Sequence, residues 1–323
     1  MLKLKRNWVV AGLVGVVGLA SGVVGAAPAY PTKPIQIVVP VKAGGDTDYN
    51  ARVLASFVEK HLGKPVVVVN VDGGATVAGM KQVLDAAPDG YKAVVNGTDI
   101  FVPKMMGSTD ISLDSFKTVA IPVLDNTTVL AVHKDMKIAK LPDLVAASKG
   151  GKKLEYGMKI GATNHICGIA MGVEWGTQFK NVDVGNNAAK MTALLARQTD
   201  VININYSVAK DYFKKGEFIP VVLLGREKNP LLPNVPLASE TGQKNLDFGK
   251  FFWIGMHPNT PDEIVDIFSA AVKKATEDPK YRAKMEANYL TVRYMGPKEA
   301  KDYAIKLYNE TMLIYKDAFL SQQ

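Results

Sequence analysis

From residue 34 to residue 96, short unbroken apolar runs alternate with helix-length amphipathic segments. That alternation restricts the chain to a sheet covered by helices on both faces. Residues 34–40 (PIQIVVP), 65–71 (PVVVVNV) and 91–96 (YKAVVN) are rich in β-branched residues and bounded by turn formers. A strand that is apolar all along must be covered on both sides, which marks a parallel sheet. Between the first two runs, residues 47–62 bring Ala51, Leu54, Phe57 or Val58, and Leu62 onto one side of a helix. Asp46 or Thr47 can cap it and Gly63 can stop it. Residues 75–86 form the next helix, and the order β-α-β-α-β predicts a doubly wound, mostly parallel sheet.

The pattern then starts again. Strands are expected at 129–133, 153–158, 181–184, 201–205 and 218–224, with helices at 141–149, 165–175, 188–197 and 208–215. Residues 251–256 read as a last strand, and 260–276, 279–288 and 297–320 as amphipathic helices. The fold class is therefore α/β with two lobes, each built on its own sheet. At about 100–200 residues per domain, 323 residues suit two units. No flexible linker separates them, so the chain is expected to cross between lobes through strands, at 125–133 and 251–257. The expected division is a leader over 1–29, a first lobe from 30–128 and 253–323, and a second lobe from 129–252.

The leader has a basic start (Lys3, Lys5, Arg6), an apolar run over 8–24 and a small-residue site at Ala27-Pro28-Ala29. This is the pattern of a cleaved secretory signal peptide, with an uncleaved anchor as the other reading of the same run. The expected location is the periplasm. The formal charge is +8, three of it from the leader, and no lysine/arginine block reaches five residues. No nucleic-acid partner is expected, whereas a mild positive field suits small anions. One cysteine, Cys167, excludes a disulfide framework and any cysteine-rich metal site, and four scattered histidines argue against a histidine cluster. Gly74 and Gly79 have P-loop spacing but lead into Met80-Lys81, no G-x-G-x-x-G follows a strand, and G-x-S-x-G is missing. Neither a cofactor nor a metal is expected. Cys167 and His165 lie two apart on a helix and do not face each other, so Cys167 is expected in the core.

The chemistry concentrates at strand-to-helix junctions. Residues 39–48 (VPVKAGGDTD) put glycines before a helix start, where free N–H groups and the positive dipole end make an anion site. Asp46 and Asp48 could form an acid/base pair, but helix capping is the plainer role. Residues 96–99 (NGTD), 161–165 (GATNH) and 184–188 (VGNNA) form similar turns. In open parallel sheets such turns gather at the carboxyl ends of the strands, where ligands bind.

Several segments strengthen this picture. YPTKPIQIVVP leading to AGGDTD, LGKPVVVVN, AAPDGY, the turn ending at His165, and NPLLPNVPLASETG together resemble the extracytoplasmic solute-binding receptors of tripartite tricarboxylate transporters, the Bug family. The resemblance covers nearly the whole chain after residue 29. It implies a periplasmic-binding-protein fold with two crossover strands, a carboxylate held between closing lobes, a membrane permease as partner and a monomeric state. It maps ligand contacts onto Gly44, Gly45, Asp46 and Thr47, onto Gly97 and Thr98, and onto Thr163, Asn164 and His165. Asn203, Asn205 and Tyr206 are expected to reach the cleft from the second lobe, and Gly185-Asn186 stands where the family has Gly-Gly. Asp46 replaces a hydroxyl residue of the family loop. An ionised Asp46 would repel a carboxylate unless it turns outward, Lys42 neutralises it, or the ligand carries a cation. The ligand class is left among di- and tricarboxylates, amino acids and aromatic acids. A sensory receptor and an exported α/β hydrolase are the competing functions.

Overall fold

The computed structural model describes residues 2, 30–243 and 245–321. The expected signal peptide lies outside the described residues. Among those described, no helix is long and apolar enough to cross a membrane.

Among the described residues, eleven strands form two sheets. Strands β1 (Ile35–Val39), β2 (Val66–Asn70), β3 (Lys92–Asn96), β4 (Lys117–Asp125), β10 (Lys250–Met256) and β11 (Thr291–Met295) make a six-stranded sheet in the order β11-β4-β10-β3-β1-β2. Strands β5 (Thr128–His133), β6 (Glu155–Met158), β7 (Lys180–Asp183), β8 (Val201–Asn205) and β9 (Phe218–Leu223) make the other, ordered β7-β6-β8-β5-β9. In the first sheet β1 to β4 share one direction while β10 and β11 oppose it. In the second, only β5 runs against its neighbours. Each sheet is thus mostly parallel.

β1 does what its composition demands, whereas β2, expected to be covered on both faces, lies at the sheet edge with Val67 50% exposed. On β1, Ile35, Ile37 and Val39 enter one core, beneath the helix Asp46–Leu62 and the helix Asp262–Glu277, while Val38 enters the core on the opposite face. Gly63 ends the first helix in the left-handed conformation, φ 67°, and returns its N–H to the Glu59 carbonyl at 2.9 Å. Two strands escape the sequence pattern. In β4 (KTVAIPVLD) Pro122 interrupts the apolar run, and it lies where the pairing with β10 and β11 shifts register. β11 (TVRYM) is short and polar in the middle.

The chain passes between sheets at residues 126–127, from β4 to β5, and returns between Leu223 and Lys250. The C-terminal segment differs from the single helix expected over 297–320. Pro297–Leu307 is helical, a π turn follows at Tyr308–Met312, and a short turn leads to Lys316–Leu320. The interruption carries the tail away from the first sheet, with which the sequence grouped all of 253–323. Tyr315 donates to the Glu174 carboxylate at 2.7 Å, and Phe319 meets the His165 ring edge-on at 5.0 Å. The tail therefore packs on the second lobe's helix Thr163–Trp175.

Gly79 shows how tightly the helix Val77–Leu84 seats against the end of β1. A Cβ there would lie 2.7 Å from the Pro40 Cβ and 2.8 Å from its Cα. Gly79→Ala gains helix propensity of about 1 kcal/mol, but the overlap with rigid proline costs about 1–3 kcal/mol. The expected outcome is a lower melting temperature, read by calorimetry. An unchanged or higher midpoint would show that this helix can back away from the sheet.

Candidate functional site

The site grows from the loop after β1. Gly44 sits at φ +85°, which only glycine adopts without strain. Asp48 ties the loop down. Its carboxylate accepts from the Gly44 N–H at 2.9 Å, Asn70 Nδ2 at 2.9 Å and Arg52 Nε at 3.0 Å. Burial alone would raise the Asp48 carboxyl, but these donors hold it below the usual range. Asp48 is therefore the loop's anchor and not half of an acid/base pair.

Asp46 has a different job. It faces the cleft, its Oδ1 accepts from the Thr47 N–H at 2.9 Å, and its Oδ2 lies 3.2 Å from Lys250 Nζ. The carboxylate is neither turned outward nor matched by Lys42, which is exposed at the rim. Lys250, at the start of β10, is the neutralising cation. Burial opposes charge on both partners, yet the Lys250 ammonium holds the Asp46 carboxyl below the usual range. The Asp46, Asp125 and Asp99 carboxylates in turn push Lys250 above the usual range for lysine.

Asp125 ends β4 in register with Lys250. It is buried, accepts from the Thr127 N–H at 3.0 Å and Thr127 Oγ1 at 2.5 Å, and accepts from Asn205 Nδ2 at the end of β8. Burial pushes its carboxyl up, and Lys250 and the Thr127 donors only partly offset that. Both sheets thus meet at a buried knot of Asp125, Asn205 and Lys250.

A cavity of about 350 Å³ lies above this knot. The first lobe contributes Val41 to Thr47, Asp72, Asp99 and Lys250, and the second contributes Lys159, Ala162, Asn164, Gly185 to Ala188, Lys190, Met191 and Val208. Solute sites run from about 300 to 1,000 Å³, so this one suits a small molecule. Lys190 comes from the helix Asn187–Leu195, whose N-terminus Asn186 caps by accepting from the Ala189 N–H at 3.0 Å. The Lys190 side chain is only 3% exposed, and Nζ donates to the Asn203 carbonyl at 2.6 Å. Burial first, and then the Lys250 ammonium, push it down to about 7, against the pull of Asp46 and Asp99.

Besides the apolar core and the C-terminal tail, a polar contact at the cleft joins the lobes. Asp99, just after β3, accepts from the Thr163 N–H at 2.9 Å and Thr163 Oγ1 at 2.5 Å. A first-lobe carboxylate therefore caps a second-lobe helix.

Of the residues singled out from sequence, Lys42, Gly44, Gly45, Asp46, Thr47, Asn164, Gly185 and Asn186 line the cavity. Gly97, Thr98 and Thr163 are set back from the wall at the contact between lobes, with Thr163 Oγ1 3.4 Å from Thr98 Oγ1. Asn203 and Asn205 lie behind the wall, supporting Lys190 and Lys250. His165 and Tyr206 need correction. His165 is two residues beyond Thr163, about 200° around the helix, so it turns from the cleft onto Phe319. Tyr206 stacks on Phe213 at 4.7 Å and meets Tyr289 at 5.2 Å, outside the cavity. Cys167 is in the core, and burial pushes its thiol up to about 12.

Sequence reasoning missed Lys190, Lys250 and Asp125 and passed over Asp99 within its turn. A signal existed for Lys190. It shares a helix face with Ala193 and Leu194, at i+3 and i+4, where a lysine is out of place.

Comparison with known proteins places this geometry in context. The family described as "tripartite tricarboxylate transporter family receptor" matches residues 50–317. A UPF0065 protein of Bordetella pertussis is 28% identical over 261 residues, covering 79% of this chain and 80% of its own. The structure of the periplasmic binding protein BugD superposes with a TM-score of 0.78 at 24% identity, covering 90% of this chain and 99% of its own. MatC from Rhodopseudomonas palustris with bound malate gives 0.75 at 22% identity, covering 90% and 100%. At these identities the two structures speak for the fold alone.

Asp99→Ala removes the oxygen, Oδ1, that accepts both Thr163 bonds, and with it a helix cap, which is worth about 0.5–2 kcal/mol. The protein is expected to stay folded with a lower melting temperature, read by calorimetry, while the C-terminal tail and the shared apolar core keep the lobes joined. An unchanged melting temperature would show that the Thr163 bonds to Asp99 add nothing to stability.

Proposed function

The chain belongs to the tripartite tricarboxylate transporter family of receptors, and on that premise we propose that it captures a small carboxylate in the cleft between its lobes. It then delivers the solute to a membrane permease of the tripartite type. It works in the periplasm, reached through the basic and apolar leader, and binding rather than catalysis is its task.

The observation that carries this reading is the cavity of about 350 Å³ walled by both lobes, with Lys190 and Lys250 deep in its wall and Lys42 and Lys159 at its rim. A solute touching both lobes favours their approach, because it binds the closed arrangement better than the open one. Its differential affinity sets how far the equilibrium moves. The permease would then recognise the closed pair of lobes. Gly44, Gly45, Thr47, Asn164, Gly185 and Asn186 are the wall groups in position to offer backbone N–H, hydroxyl and amide partners to the solute. The malate bound to MatC is in keeping with a carboxylate.

The test is thermal unfolding of purified, ligand-stripped protein against mono-, di- and tricarboxylates, amino acids and aromatic acids. A solute at 100 times its Kd adds about 2.7 kcal/mol, which raises Tm by several degrees. Thr47→Val, at the wall, is expected to weaken the response without lowering the ligand-free Tm by more than about a degree. No shift with any carboxylate would overturn the proposal.

A further inference from the structure

The cavity's charges are unevenly matched. Lys250 has Asp46 at 3.2 Å and Asp125 as its strand neighbour. Lys190 is more deeply buried than the half-buried Lys250, but its partners are the Asn203 carbonyl at 2.6 Å and Asn203 Oδ1 at 3.3 Å. Among the described residues no carboxylate lies within ion-pair distance of it. Buried charges in proteins are normally paired, since an unpaired one is expensive. Lys190 therefore departs from the rule at the one place where an incoming anion could restore it.

Some of the donors that attract anions elsewhere in the cleft are already bonded within the chain. Asp48 accepts from the Gly44 N–H, Asp46 from the Thr47 N–H, and Asp99 from the Thr163 N–H. Asp46 and Asp99 lie with Lys190 and Lys250 in the inner part of the cavity wall, whereas Lys42, Asp72 and Lys159 are exposed at its rim. A second anionic group on a solute small enough to stay within that inner part would meet Asp46 and Asp99 at close range, where repulsion is weakly screened.

We propose that Lys190 is the counter-ion of the solute's carboxylate, and that the solute is a small monocarboxylate whose far end carries no second anionic group. This rests on the reading of the cleft as a carboxylate site and narrows it.

Proton uptake follows. The groups facing Lys190 are Lys250 from β10, Asp46 from the helix Asp46–Leu62, Asp99 after β3, Cys167 from the helix Thr163–Trp175 and the neutral Asn203 of β8. With its pKa near 7 without ligand, Lys190 is neutral in weakly alkaline solution. An arriving carboxylate stabilises the ammonium, so the pKa rises and one proton is drawn from solvent. The affinity is constant below about pH 7 and falls with rising pH above it, until the pH reaches the bound-state pKa. The ligand-free protein behaves oppositely. A lysine depressed in the folded state binds fewer protons there than when unfolded, so stability rises with pH between about 7 and about 10.4.

The experiment is titration calorimetry with lactate, β-alanine, γ-aminobutyrate, malate, succinate and citrate, in two buffers of different ionisation enthalpy. For a monocarboxylate the expected result is uptake approaching one proton at about pH 8, and a Kd rising up to about tenfold per pH unit from about pH 7 to about pH 9. Lys190→Met is expected to bind at least about 30-fold more weakly and to lose the pH dependence. It should melt no lower than wild type without ligand at about pH 6, because an apolar replacement of a buried charge is neutral or stabilising. Tight malate, succinate or citrate binding, or an unchanged Kd in Lys190→Met together with a lower ligand-free Tm, would overturn the assignment while leaving the carboxylate reading intact. Failure of every acid to bind wild type would remove that reading and the inference together.

Discussion

Everything at the cleft depends on Lys250. A lysine placed where two sheets exchange strands cannot keep its charge without carboxylates beside it. β4 supplies Asp125 in register, and the helix after β1 supplies Asp46 at 3.2 Å. Asn205 then ties the end of β8 to Asp125 and accepts from Lys250 at 3.4 Å. The antiparallel pairing of β10 with β4 thus fixes which charges meet, and those charges fix how the second sheet sits on the first. A slip of one residue in β10 would turn Lys250 to the other face and leave Asp125 buried and unmatched.

The same logic extends outward along the helix starts. Each N-terminus facing the cleft carries free donors and a positive dipole end. In this chain some of the donors bond to its own side chains: the Thr47 N–H to Asp46, the Thr163 N–H to Asp99, and the Ala189 N–H to the Asn186 amide oxygen. The Asp99 bond differs because its two ends belong to different lobes. Opening the cleft must break it, so part of the closed arrangement is held without any solute. A solute then has less of the closure to supply, and its binding energy is more fully expressed as affinity.

Most of the architecture is legible in the sequence because the apolar runs are long and continuous. β1 and β2 are apolar along their length between prolines and turns, and the helix Asp46–Leu62 has an acidic start and a glycine stop within a residue of expectation. β4 is hidden by Pro122, which is tolerated only because the ladder shifts register there. The C-terminal helix keeps its periodicity across residues 308–312, and periodicity does not reveal a π turn. The turns lining the cleft are legible from their glycines and asparagines. His165 is misplaced by that reading because belonging to a turn says nothing about helical phase. Lys190 and Lys250 are hidden for a deeper reason. A lysine in sequence looks solvated by default, and only the fold reveals that two of them have been brought into the interior.

The contrast between those two lysines separates architecture from function. Lys250 is matched within the chain, so removing it would leave Asp46 and Asp125 uncompensated and weaken the frame itself. Lys190 is matched only by neutral oxygen, so it weakens the frame by being present. A group that lowers stability, sits in the wall of a cavity and has its own positioning residue in Asn203 is what a binding site looks like before its partner arrives. The helix carrying it has Ala193 and Leu194 on the same face, and either residue type would pack there at less cost. The fold does not need a charge at position 190, and its explanation has to come from what enters the cleft.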